Sequence, residues 1–280
     1  GPVEFNLKIE ANNGDFQYNR SLEYFNVSVT YNQAGFPFST STFKSSPLAI
    51  DYNGDGEKEI IIGDQDIKGT IHIYNSDGSE VVSSHFPYET GNKIWGAPSA
   101  ADLDHDNNID IVIASQSEHL FIFDKNGQKL DYNSEVDLIG TPAIGNLDND
   151  DDLEVIFSGY SSNNKIFAIN PDGSNVNGFP IQLGEKVKAG IALADFNNNG
   201  RDDIVLGTDN NPLYLIYDDG NTAPGFPFVV GGKIQGEIRN HATGSCAVRP
   251  ETYVCYVHEA VEGTTTGESD WHVVNQGNSR

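Results

Sequence analysis

The chain is built from short apolar runs separated by residues that are typical of tight turns. Four of these runs have nearly the same length and consist mainly of β-branched, aliphatic or aromatic residues: residues 60–63, 111–114, 155–158 and 204–207. They are too short for helices and are bounded by Gly, Asp and Asn, which is typical of β-strands. A second apolar run follows each of them and ends in an Asp-Gly or Asn-Gly turn, which predicts antiparallel strands.

The same order of strands and loops recurs along the chain and divides it into four repeated units. Each unit begins with a short strand, passes through an acidic loop into a buried strand, and continues with another strand, a turn and an outer strand. The units cover about residues 45–96, 97–140, 141–188 and 189–236. Three of them close with a Phe-Pro pair, at Phe86-Pro87, Phe179-Pro180 and Phe226-Pro227.

This repeat predicts an all-β protein, specifically a β-propeller of four-stranded antiparallel blades. The acidic loops begin 51, 44 and 49 residues apart, and four antiparallel strands every ~40–50 residues is the spacing of a propeller blade. A solenoid is the competing architecture, but its repeats are usually shorter and contain fewer strands.

The two ends of the chain are less regular than the four units. Residues 1–44 contain an alternating run at 24–31 and the tripeptide Gly35-Phe36-Pro37, which matches the closing motif, whereas residues 237–280 lose the repeat. One hypothesis is that both ends form a composite fifth blade, which would remove free sheet edges. The alternative is that the chain is a fragment of a larger ring. Cys246 and Cys255 form either a disulfide across a hairpin or two free thiols.

The acidic loops carry oxygen donors at alternate positions, which allows several side chains to converge on one cation. We number each loop from 1 to 9, so that the first to fourth loops are residues 51–59, 102–110, 146–154 and 195–203. Positions 1, 3, 5 and 9 offer side-chain oxygens, and position 7 offers its backbone carbonyl. These positions are Asp51, Asn53, Asp55, Glu57 and Glu59; Asp102, Asp104, Asp106, Asn108 and Asp110; Asn146, Asp148, Asp150, Asp152 and Glu154; and Asp195, Asn197, Asn199, Arg201 and Asp203.

This donor set predicts up to four Ca²⁺ ions, each at a strand-loop-strand corner. Calcium takes six to eight hard oxygen ligands, and no Cys or His lies at the spacing that zinc or copper would need. An EF-hand is excluded because position 12 is Ile62, Ile113, Phe157 or Leu206 instead of a bidentate Glu. Turn formation alone would not explain why like charges are crowded in four loops. Carboxylate counts predict that the second loop binds tightest and the fourth weakest.

The overall charge supports a cation-binding protein and argues against nucleic acid as a partner. The 280 residues include 41 Asp and Glu but only 16 Lys and Arg, which gives a formal net charge of −25. Phosphate recognition would require clustered Lys and Arg. No run approaches 18 apolar residues, so no membrane insertion is expected.

The repeat resembles the FG-GAP (VCBS-type) family over about residues 46–236. The likeness lies in the Ser/Ala/Thr-Pro-x-x-x-Asp strand, the D-x-D-x-D-x-x-x-D loop and the following Ile/Val-Gly strand, and it recurs four times. The family includes the integrin α-subunit propeller and many secreted bacterial proteins. The resemblance implies a calcium-bound, usually seven-bladed propeller that acts extracellularly, with calcium loops on one face and ligands on the other.

The resulting functional expectation is a non-enzymatic adhesion or ligand-recognition module at the cell surface, with a protein or glycan partner. Weak calcium sites, of about 10⁻⁴–10⁻³ M, are filled outside cells and empty inside. No common catalytic motif is present. Two alternatives stay open: an accessory propeller in a longer secreted hydrolase or lyase, and a polysaccharide lyase that uses His and Tyr residues on the face away from the calcium loops.

Overall fold

A computed structural model describes residues 35–37, 41–148, 150–162 and 164–234, together with the backbone of three strands nearer the C-terminus. Within these residues there are strands, turns and bends but no helix. The proposed composite blade and the state of Cys246 and Cys255 depend on residues outside the described ranges.

Four four-stranded antiparallel sheets follow one another, each in the order of the sequence. The first contains β1 (Leu48–Ile50), β2 (Glu59–Gly63), β3 (Thr70–Tyr74) and β4 (Tyr88–Glu89). The second contains β5 (Ser99–Ala101), β6 (Asp110–Ala114), β7 (His119–Asp124) and β8 (Gly127–Asn133). The third contains β9 (Ala143–Gly145), β10 (Glu154–Ser158), β11 (Lys165–Ile169) and β12 (Ile181–Gln182). The fourth contains β13 (Ala192–Ala194), β14 (Asp203–Gly207), β15 (Pro212–Ile216) and β16 (Phe228–Val229).

A three-stranded antiparallel sheet follows the fourth: β17 (Arg239–Asn240), β18 (Cys255–His258) and β19 (Trp271–Val273). The first strands of neighbouring sheets lie side by side, because β9 contacts both β5 and β13, and β13 contacts β17. Successive antiparallel sheets whose first strands adjoin are the blades of a β-propeller. The predicted all-β architecture of four-stranded blades is therefore confirmed.

The hydrophobic core consists of layers between successive blades. Ile111 and Ile113 of β6 pack towards the first blade with Ile61 and Ile73, whereas Val112 of β6 packs towards the third blade. Because alternate residues of a strand point to opposite faces, a strand that packs between two blades is covered on both faces. This explains why β6, β10 and β14 are buried along their whole length. In β2 the burial alternates, and Ile60 and Ile62 are only partly covered.

Close backbone contacts join the outer part of one blade to the turn of the next. Gly178, before the Phe179-Pro180 pair, has a φ of 94°, and a Cβ atom at this position would lie 2.5 Å from the backbone oxygen of Asp219 in the fourth blade. Gly35 has the same relation to Asp77 in the first blade, at 1.8 Å. Only glycine combines this φ with such a close approach.

We predict that Gly178→Ala lowers the free energy of unfolding by about 1–3 kcal/mol more than Gly184→Ala does, because it adds a clash between blades. Gly184 is the matched control: its φ is also positive, at 74°, but an added Cβ meets no described atom within 4 Å. Urea unfolding of both variants measures the difference. Equal losses of stability would show that the contact between blades does not constrain this position.

Candidate metal centres

The four acidic loops occupy equivalent places in the four blades. Each loop connects the first strand of a blade to the second: β1 to β2, β5 to β6, β9 to β10 and β13 to β14. Since β5, β9 and β13 adjoin, the second, third and fourth loops lie next to one another at one end of the sheets. The structure describes every predicted donor residue; in the third loop only position 4 falls outside the described residues.

The acid at position 9 is the buried anchor of each loop. These residues are the first residues of β2, β6, β10 and β14, and their exposed fractions are 0–1%. One oxygen of each acid accepts the backbone N–H of position 2, and the four pairs are Glu59 with Tyr52 at 3.2 Å, Asp110 with Leu103 at 3.1 Å, Glu154 with Leu147 at 2.5 Å and Asp203 with Phe196 at 2.8 Å. The hydrogen bond closes the loop against the start of the second strand.

Burial raises the pKa of all four position-9 carboxyls, Glu59, Asp110, Glu154 and Asp203. Desolvation is the largest cause in each case, because it disfavours the ionised form. Neighbouring loop acids raise the pKa further in the first three loops, whereas the backbone hydrogen bonds lower it. Each loop thus contains a buried carboxylate that is costly to ionise, and in the second loop Lys129 offsets part of that cost.

Position 1 organises the turn in three of the loops. Asp51 accepts the backbone N–H groups of Gly54, Asp55 and Gly56 at 2.7, 3.1 and 2.9 Å. Asp102 and Asp195 accept equivalent backbone bonds in the second and fourth loops. Such local bonds are an established role of Asp and Asn.

Two further features of the loops follow the same local pattern. The backbone N–H of position 7 donates to the side chain at position 5 in all four loops, at 2.8–3.0 Å. In the third loop Asn146, at position 1, instead donates its amide to the carbonyl of Asp150 at 3.3 Å. Part of the polar pattern therefore shapes the turn itself.

Two loops bring three carboxylates close enough together to hold a metal ion. In the second loop Asp102, Asp104 and Asp106 each offer an oxygen, and these atoms lie within 4.8 Å of one another. Asp148, Asp150 and Glu154 do so in the third loop. In the first loop Asn53 donates its amide to Asp55 at 3.1 Å. The side-chain convergence predicted from the spacing is thus clearest in the second and third loops.

The third loop combines this convergence with an unsatisfied buried oxygen. Glu154 is fully buried, and its Oε1 atom has no hydrogen-bond partner. Burial, with the charges of Asp148 and Asp150, raises the pKa of Glu154 to about 7. A buried, unpaired acceptor is costly, and a cation among the three carboxylates would relieve that cost. The residues of this loop therefore fit a hard divalent cation.

The second and fourth loops differ because basic side chains lie beside them. In the second loop Lys129 donates to Asp104 at 2.8 Å and forms an ion pair with Asp110 at 2.9 Å. Burial opposes the charged form of this lysine, but its close contacts with both acids hold its pKa above the usual range. In the fourth loop the Arg201 side chain forms an ion pair with Asp218 at 2.7 Å.

Two acids that the spacing of the donors did not predict contact the third and fourth loops. Asp218 follows β15; its backbone N–H donates to Asp203 at 3.1 Å, and its side chain accepts from Asn199 at 2.8 Å. The sequence signal for Asp218 is that it stands directly before the Asp219-Gly220 turn, so that two acids follow β15. Asp202, at position 8, accepts the backbone N–H of Asn146 in the third loop at 3.2 Å. Contacts between consecutive blades cannot be read from spacing within one repeat.

Backbone hydrogen bonds also join neighbouring loops directly. Leu153 of the third loop donates to the carbonyl of Leu103 in the second loop at 2.8 Å. Asp202 of the fourth loop donates to the carbonyl of Asn146 in the third loop at 2.7 Å. The second, third and fourth loops are thus physically connected, and a change in one loop can reach the next.

The sequence matches a known repeat family through all four loops. The model of the FG-GAP-like repeat matches residues 30–113 and 146–206, which together make up just over half of the chain. Both segments contain two of the acidic loops. A comparison with curated proteins finds no match.

Solved structures share the architecture at low sequence identity. A crystal structure of BBS1N in complex with ARL6DN, soaked with mercury, is 14% identical with a TM-score of 0.53, and the match covers 85% of this chain and 69% of that chain. BamB from Moraxella catarrhalis is 16% identical with a TM-score of 0.48, covering 79% and 56%. The Dos1 propeller is 16% identical with a TM-score of 0.46, covering 68% and 47%. These likenesses concern the fold alone.

In the presence of a chelator, we predict that the wild-type protein loses stability relative to Glu154→Gln as the pH rises from about 4.5 to about 7. Over this window the folded protein retains a proton that the unfolded chain has released, so a rising pH favours unfolding. The loss reaches at most about 3 kcal/mol. Urea unfolding at several pH values measures it, with Glu57→Gln as the exposed-acid control. Parallel curves for wild type and Glu154→Gln would contradict the prediction.

Proposed function

The chain belongs to the FG-GAP-like repeat family, and from this premise we propose that it is a calcium-stabilised propeller module that recognises a partner outside the cell. FG-GAP-like propeller repeats are generally non-catalytic, which supports a binding role. The proposed partner is a protein or glycan at a cell surface. The role of calcium in this proposal is structural.

The third loop carries the calcium proposal. Three carboxylates converge within 4.8 Å there, and the fully buried Glu154 has an oxygen without a partner. All the donors are hard oxygens, which suit calcium better than the softer transition metals. A bound divalent cation would supply positive charge where Asp148 and Asp150 raise the pKa of Glu154.

The position of the donors explains what such an ion would stabilise. Asn146 directly follows β9, and Glu154 is the first residue of β10, so the ligands span the corner between two paired strands. A cation held by both ends of the loop would fix this corner. Because the neighbouring loops share hydrogen bonds, the effect would extend along the row of blades.

The extracellular location follows from the proposed affinity range. Loops with several local turn bonds and only two to four carboxylates at positions 1, 3, 5 and 9 resemble modest calcium sites rather than high-affinity buffers. Sites of about 10⁻⁴–10⁻³ M are filled at extracellular calcium concentrations and empty inside cells. Among the described residues, the structure contains no helix that is long and apolar enough to cross a membrane.

Calcium is expected to raise the thermal unfolding midpoint, and excess chelator to lower it, because the ion binds the folded loops but not the unfolded chain. At a free calcium concentration 100 times the Kd, one site contributes about 2.7 kcal/mol. Asp148→Asn should weaken the third site at least about tenfold by removing one carboxylate. Titration calorimetry and thermal unfolding measure both effects.

Glu118→Gln is the control for this experiment, since it removes an exposed acid between β6 and β7, away from the loops. It should leave calcium binding unchanged. A wild-type protein that binds no calcium at millimolar concentration would refute the calcium proposal, whatever the variants do.

For the recognition role, we predict calcium-dependent binding without turnover. A glycan array and a panel of extracellular matrix proteins, each probed with calcium and with chelator, measure the binding. Chelator should abolish it if the ordered loops support the binding surface. Depolymerisation of any polysaccharide would instead identify the chain as a lyase or as part of a secreted hydrolase, and would overturn the non-catalytic proposal.

A further inference from the structure

The outer strand of the second blade differs from its counterparts. β8 has seven residues, whereas β4, β12 and β16 have two each. The second blade also lacks the Phe-Pro pair that closes the other three. As a result β8 pairs with β7 along its full length, starting directly after the turn. This places an additional stretch of outer strand close to the second acidic loop.

A β-bulge in this pairing determines where Lys129 points. Ile122 is paired with Leu130, and the next residue, Phe123, is paired with Gln128. Lys129 is therefore the extra residue of β8 and has no partner on β7. Bulges commonly redirect a side chain, and here the redirected side chain is a lysine.

The Lys129 ammonium lies among the carboxylates of the second loop. Its Nζ atom is 2.8 Å from Asp104 Oδ2, 2.9 Å from Asp110 Oδ1 and 4.0 Å from Asp106 Oδ2. The lysine side chain is 23% exposed, and Asp110 is fully buried. A positive charge contributed by the protein thus lies between three of the four acids that the loop would offer to a cation.

The other loops have no comparable ammonium. Within the described part of the chain, no Lys or Arg forms an ion pair with an acid of the first or third loop. In the fourth loop Arg201 is paired with Asp218, which lies outside the loop. The buried charge of Glu154 in the third loop therefore lacks the compensation that Asp110 receives from Lys129.

We propose that Lys129 is a built-in counter-ion of the second loop, which orders this loop without metal and makes it a weaker divalent-cation site than the third. Counted at positions 1, 3, 5 and 9, the four carboxylates of the second loop together with the Lys129 ammonium carry the same net charge as the three carboxylates of the third loop. In addition, an incoming ion must displace the lysine from Asp104 and Asp110. The order of affinities predicted from carboxylate counts alone is thus reversed for these two loops.

The comparison of calcium affinities rests on the proposed calcium function, whereas the ordering of the second loop without metal does not. The experiment therefore has two arms. Lys129→Met removes the charge and retains a long side chain, and Lys129→Gln is a second, polar replacement. Lys68→Met is the matched control, because Lys68 forms an exposed ion pair with Glu89 at 2.7 Å on the outer strand of the first blade.

In the first arm, thermal unfolding in excess chelator should show a lower midpoint for both Lys129 variants than for Lys68→Met, because the second loop then lacks any compensating charge. In the second arm, calorimetry should show one class of sites that binds calcium at least about tenfold more tightly in Lys129→Met than in wild type. Adding Asp104→Asn to Lys129→Met should abolish that gain, which assigns it to the second loop.

Each outcome decides one proposal. If both Lys129 variants match Lys68→Met in chelator and in calcium, the counter-ion proposal is wrong. If the Lys129 variants lose stability in chelator but no variant binds calcium, the counter-ion stands and the calcium function fails. If calcium binds the third loop of the wild-type protein but Lys129→Met shows no tighter site, the lysine does not control cation binding in the second loop.

Discussion

The acid at loop position 9 is the constraint on which the rest of each blade depends. It is the first residue of the buried second strand, and it accepts the backbone N–H of position 2. This bond fixes how the chain leaves the first strand and enters the second. The residue at position 2 is apolar or aromatic and packs in the core or partly against it. Loop closure and core packing are therefore linked, because the acid at position 9 is hydrogen-bonded to the backbone of the residue at position 2, whose side chain packs in the core or against it.

This arrangement has an electrostatic cost that each loop must offset. A carboxylate buried at the start of a strand prefers to be protonated, and neighbouring loop acids strengthen that preference in the first three loops. All four loops bury an acid at position 9, but the side chains around that acid differ from loop to loop. The second loop has Lys129, and the fourth has Asn side chains and the nearby Arg201–Asp218 pair. In the third loop, backbone hydrogen bonds from Leu147 and Asp148 are what lowers the pKa of Glu154. A common repeat can thus contain sites of different strength.

The packing of blades explains why this variation is tolerated. Each core layer is formed by strands of two consecutive blades, and apolar residues on both faces of β6, β10 and β14 hold the layers together. The loops lie at one end of these strands, and their oxygen donors lie outside the apolar layers, to which position 2 contributes. A loop can therefore exchange a metal ion for an ammonium, as we propose for the second blade, without changing the strands that carry it.

The sequence by itself determined the repeat, the all-β architecture and the identity of the acidic loops. These features are local, because the strands, the turn and the alternate spacing of Asp and Asn all lie within one repeat of about 50 residues. The acid at position 9 was expected at the start of the buried strand, and it is the first residue of that strand. Its complete burial was not evident from the residue type. Burial depends on the neighbouring blade, which is distant in the sequence.

Only the tertiary structure decided which charges meet. Lys129 lies 19 residues after Asp110 and reaches it through a bulge between β7 and β8, a feature that no spacing rule reveals. Asp202 accepts from Asn146 of the adjacent blade, 56 residues earlier in the sequence, because the two loops lie side by side. Electrostatic interactions act over a few ångströms regardless of separation along the chain. The donor atoms could therefore be read from the sequence, whereas the balance of charge around each of them required the fold.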